Sequence, residues 1–98
     1  MTRKAASGPP CAIRCVVGGR VQGVYFRAAG AERAATLGLA GWIRNLPDGR
    51  VETVAAGAVD ALTQFTAWLW KGPPAARVDS VLVEEWRDPV PDGFSIQR

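Results

Sequence analysis

The spacing of hydrophobic and polar positions changes several times along the chain, and each change marks an element. Cys11, Ile13, Cys15 and Val17 fall on one side of residues 11–17, and Ala12, Arg14 and Val16 on the other. This period of two predicts a strand. After the turn-rich stretch GGRVQG the period lengthens: Phe26, Gly30, Ala34 and Leu37 recur at helical spacing, predicting a helix over about 26–37 with Gly38 as its stop. GWIRN at 41–45 and RVETVAA at 50–56 read as two short strands. Between them stands Leu46-Pro47-Asp48-Gly49, where a fixed φ, a side chain that bonds its own backbone and a tolerated positive φ together signal a hairpin. Ala58, Leu62, Phe65 and Leu69 mark one face of a second helix, ended by Gly72 and Pro73. Residues 78–86 predict a fourth strand and 94–96 a short fifth.

Strand, helix, hairpin, helix, strand is the order of the split βαβ unit. The predicted class is therefore α+β: a ferredoxin-like sandwich whose antiparallel sheet of four to five strands carries two helices on one face. A chain of 98 residues buries one core, so residues 11–98 form a single domain and residues 1–10 a flexible basic tail. Many unrelated functions occupy this fold, and function has to come from a site.

Composition narrows the partners. No apolar run approaches the roughly 20 residues that span a bilayer, and MTRKAASGPP is not followed by the apolar stretch of a signal peptide. The expectation is a cytoplasmic protein without a membrane partner. A net charge of +3 and a pI near 9.4 favour anionic partners but do not choose among nucleic acid, phosphorylated metabolites and plain solubility. Cys11 and Cys15, four apart on one strand, lie roughly 13 Å apart, too far for a disulfide. Two buried free thiols are expected. The chain has no histidine, which leaves neither a zinc site nor a base to activate a thiol.

The chemistry concentrates in Gly18-Gly19-Arg20-Val21-Gln22-Gly23-Val24-Tyr25-Phe26-Arg27. The segment joins a strand to a helix, and its glycines let the backbone turn its amides inward. With the partial positive charge of a helix N-terminus, the amides of Val21, Gln22, Gly23, Val24 and Tyr25 make a candidate anion cradle. Arg27, in the helix's first turn, adds a planar fork suited to phosphate oxygens. The Gly-Lys-Ser/Thr ending of a Walker loop is absent. Taken on its glycines alone, the segment reads more simply as a plain loop with a solvated arginine.

GRVQGVYFR resembles, at every fixed position, the G-x-V-Q-G-V-x-F-R signature of the acylphosphatase family. A second motif follows in order: Gly41-Trp42-Ile43-Arg44-Asn45, three residues, Gly49-Arg50-Val51, then Gly57. Gly72-Pro73-Pro74-Ala75-Ala76-Arg77-Val78 resembles the family's stretch after the second helix. Ile43 stands where the family more often has Val, Ala or Cys. The resemblance implies the same fold and a cofactor-free, metal-free hydrolysis of acyl phosphates to carboxylate and phosphate. It implies that Arg27 and the 21–25 amides bind the phosphoryl group, that Asn45 orients the attacking water, and that inorganic phosphate is product or inhibitor. A free-standing monomer is expected.

Other residues have blander readings. Asn45 without the family motif is a turn-entry residue bonding its own backbone. Asp48 reads as a turn residue, Glu52 as a solvated strand charge, and Glu32, Glu84 and Glu85 as exposed. Trp42, Trp68, Trp70 and Trp86 read as core and rim packing. Tyr25 points from the loop toward the substrate's acyl part. A single-stranded nucleic-acid module would stack bases on aromatics of the central strands, and CAIRCVV and RVETVAA contain none. The alternative function is a non-catalytic phosphate- or carboxylate-binding module; Asn45 argues against it, since an anion sensor has no water to place.

Overall fold

The computed structural model describes residues 11–98; the expected tail at 1–10 lies outside them. The elements are β1 (Cys11–Arg20), α1 (Phe26–Thr36), β2 (Ala40–Asn45), β3 (Val51–Gly57), α2 (Val59–Lys71), β4 (Arg77–Glu85) and β5 (Phe94–Gln97). They build one five-stranded sheet in the order β4-β1-β3-β2-β5. The hairpin pairs Trp42 with Val54 and Asn45 with Val51.

The sheet is mixed, not purely antiparallel as the pattern suggested. β5 runs parallel to β2, with Gly41 beside Phe94 and Arg44 beside Gln97. Strand directions explain this. β4 is antiparallel to β1, β1 to β3, and β3 to β2, so β4 finishes at the end of the sheet where β2 begins. Crossing from one edge to the other takes about 19 Å at ~4.8 Å per strand. The link at 86–93 reaches that far at ~3.3 Å per residue and delivers β5 alongside β2.

Alternation puts Ile43, Thr53, Ala55, Cys15 and Val17 under the helices, where all five are buried. Phe26, Phe65 and Leu69 fill the layer between sheet and helices, with Phe26 against Trp68 at 5.4 Å and Phe65 edge-on to Phe94 at 6.0 Å. Gly30 shows how close α1 sits. A Cβ there would meet Ile43 Cδ1 at 2.8 Å, so the missing side chain lets the helix settle on β2.

Two expectations about single residues change. Cys15 is buried, and burial pushes its thiol up to about 12, but Cys11 is exposed at the start of the strand. Glu52 is not a solvated charge. It is 4% exposed on the sheet face away from the helices, where it accepts hydrogen bonds from Arg14 Nε at 2.5 Å and Arg44 Nε at 2.6 Å. Arg14 also reaches Glu84 at 2.8 Å. Burial raises the Glu52 pKa, yet the two guanidinium hydrogen bonds outweigh it and hold the carboxyl below its usual range. On the same face Arg44 lies 5.2 Å over the Trp42 ring, which meets Trp86 edge-on at 6.2 Å.

Candidate active site

The register of β1 with β4 shifts between Gly18 and Gly19, and the irregularity re-aims the chain as it leaves the sheet. Val21 then anchors the loop in the core, 1% exposed. Gly23 (φ 74°) and Tyr25 (φ 70°) are both left-handed, a conformation that costs glycine little and tyrosine more. Tyr25 is the N-cap of α1, yet no side chain caps the helix and its first turn holds no acid. The helix therefore presents its end to the site with N–H groups that no side chain satisfies.

Arg27 follows in that first turn. Its Nη1 donates to the Gln97 carbonyl of β5 at 3.1 Å, and no carboxylate pairs with it among the described residues. Asn45 closes β2 on the helix-side face, one strand inward from β5. Arg27 and Asn45 line one cavity of about 200 Å³, together with Val21, Gly23, Tyr25, Phe26, Ala28 and Ile96. Two motifs some twenty residues apart in sequence thus meet in one hollow at the N-terminus of a helix.

The turn after Asn45 is closed without its side chain. Leu46 N donates to the Arg50 carbonyl at 2.8 Å, Gly49 N to the Leu46 carbonyl at 3.2 Å, and Arg50 N to Asp48 Oδ1 at 3.0 Å. Asp48 is the turn residue, as its place before glycine suggested. Among the described residues the Asn45 amide takes no hydrogen bond of its own, so the turn-entry reading has no bond to stand on.

Gln22 and Val24 are the loop residues that do not line the cavity. Val24 packs against the core. Gln22 Nε2 donates to the carbonyls of Leu46 at 2.8 Å and Arg50 at 2.9 Å, tying the loop to the hairpin. Sequence reasoning missed that link, and it missed Ile96 and Gln97. An amide that bridges two backbone carbonyls leaves no pattern in one sequence, and β5 was legible only as three alternating residues.

An uncapped helix end, a left-handed turn before it and an arginine without a carboxylate partner among the described residues stand together on a small ferredoxin-like α+β sandwich. The Acylphosphatase family profile matches residues 13–96, and the chain belongs to that family. It is 54% identical over 83 residues to the acylphosphatase of Halorhodospira halophila, covering 85% of this chain and 90% of that one. With the acylphosphatase of Chromohalobacter salexigens it shares 50% over 84 residues, 86% and 93% of the two chains. The structure of an acylphosphatase from Coxiella burnetii superposes with a TM-score of 0.89 at 40% identity, covering 99% of this chain and all of that one. The acylphosphatase from Bacillus subtilis gives 0.84 at 40% identity, with 89% and 98% covered.

Proposed function

We propose that this member of the family hydrolyses acyl phosphates without a metal, with Arg27 and the amides of residues 21–25 holding the phosphoryl group and Asn45 orienting water. The observation that carries the reading is the single cavity lined by both Arg27 and Asn45. An acyl phosphate is already activated, because its carboxylate leaving group needs no general acid. The transition state is loose, with charge on the equatorial oxygens, so clamping that charge and placing the water supply most of the catalysis. The water oxygen attacks phosphorus, the bond to the acyl oxygen breaks, and the carboxylate departs with the bonding pair. The water's proton passes to a phosphate oxygen, since an asparagine amide orients water but does not titrate usefully.

Inorganic phosphate, the product, then competes for the same cradle. The reading extends to a cytoplasmic monomer that binds neither membrane nor nucleic acid. No helix among the described residues is long and apolar enough to cross a membrane. On the open sheet face Trp42 is enclosed by Trp86 and Arg44, which speaks against a stacking platform for bases.

Purified protein assayed on acetyl and benzoyl phosphate should keep its activity in excess chelator. Phosphate monoesters, with poorer leaving groups, should turn over far more slowly. Loss of activity in chelator, restored by zinc or magnesium, would overturn the metal-free mechanism.

A further inference from the structure

Tyr25 faces two hollows. Besides the cavity of Arg27 and Asn45, it lines a larger open groove of about 920 Å³. Tyr25, Ala29 and Thr36, together with Trp68 and the Pro73-Pro74 loop, line that groove. Trp68 stands over α1 beside Gly30, where a Cβ would lie 3.5 Å from its ring. The pocket near Arg27, at about 200 Å³, is smaller than the roughly 300–1,000 Å³ typical of pockets that enclose a whole small molecule. It seats a phosphoryl group and little more. The acyl group must leave past its rim, and Tyr25, 74% exposed, is the rim shared with the groove.

We propose that the groove between α1 and α2 is the acyl-group subsite, selecting acyl phosphates with an extended or aromatic, largely apolar acyl group. This rests on the function proposed above. Aromatic and proline walls reward apolar surface, and Glu32, Arg33 and Lys71 also line the groove and keep its mouth wet. Helical rise sets a ruler along it: Ala29 stands about 6 Å and Thr36 about 16 Å beyond Tyr25. An aromatic acyl group reaches the first, and a long alkyl chain reaches both.

The test uses acetyl, benzoyl and dodecanoyl phosphate with wild type, Ala29→Phe and Thr36→Trp. Filling the groove at Ala29 should lower kcat/KM for benzoyl and dodecanoyl phosphate on the order of tenfold and leave acetyl phosphate unchanged. Thr36→Trp, at an exposed position, should slow dodecanoyl phosphate alone. Acetyl phosphate turnover also reports folding of each variant, and the exposed substitution keeps the test valid if Ala29→Phe proves unstable. Variants that slow all three substrates equally, or none, overturn the subsite. Failure of the wild type on acetyl phosphate would instead overturn the proposed function.

Discussion

Arg27 spends one hydrogen bond inside the fold, and among the described residues no other partner engages its donor fork. Under the proposed mechanism that fork must match phosphoryl oxygens at two points, which an ammonium does not do. Arg27→Lys should therefore lose activity almost as badly as Arg27→Ala, on the order of 10³-fold; near-normal turnover by the lysine variant would show that bulk charge suffices. Asn45 presents the complementary case. Its proposed contact is with the attacking water, so Asn45→Ala should lower kcat and kcat/KM together and leave competitive inhibition by phosphate nearly unchanged. The turn is closed by Leu46, Asp48 and Arg50, so the thermal melt should move by less than about 1 kcal/mol. A folded variant with the wild-type rate would return Asn45 to a structural role.

At the scale of elements, the site depends on how a loop and a hairpin are held relative to each other. Gln22 supplies two hydrogen bonds across that gap. Gln22→Leu should cost roughly 1–2 kcal/mol of stability and let Asn45 drift relative to the cradle, with up to roughly 10²-fold lost in kcat. Gln22→Glu should be worse, since a carboxylate set against two carbonyls accepts where the amide donated. Wild-type kinetics in both variants would mean that the loop and hairpin hold their own positions. The elements themselves were readable because alternation and helical spacing report burial directly, as Cys15, Val17, Leu62, Phe65 and Leu69 illustrate. The Arg27–Asn45 pair was readable from the family motifs. The direction of β5 was not: Phe94 and Ile96 alternate equally well in a parallel or an antiparallel strand, and only the edge from which the link at 86–93 departs decides. Glu52 misled for a related reason, because its two arginine partners arrive from other strands.

For the molecule as a whole, the buried carboxylate of Glu52 joins three strands through Arg14 and Arg44. Its pKa is lowered in the fold, so the stability it contributes is fully present above its ordinary value of 4.5 and is lost as pH falls through the folded value. Thermal melts should accordingly be flat from neutral pH down to about 5 and fall steeply in more acid solution. Glu52→Gln should melt lower at neutral pH, by on the order of 1–3 kcal/mol, and show a shallower acid limb. An acid limb as steep in Glu52→Gln as in wild type would assign the loss to other carboxylates.

The hydrogen bond from Arg27 to the Gln97 carbonyl spans 70 residues, and its acceptor lies on the edge strand reached by the link that crosses the sheet. With β5 undocked, Arg27 would lose the hydrogen bond that ties its guanidinium to the fold. Long-range closures of this kind are slow, because chain entropy is surrendered before the contact rewards it. Under the proposed mechanism, turnover therefore reports on the docking of β5 as well as on the loop and the hairpin.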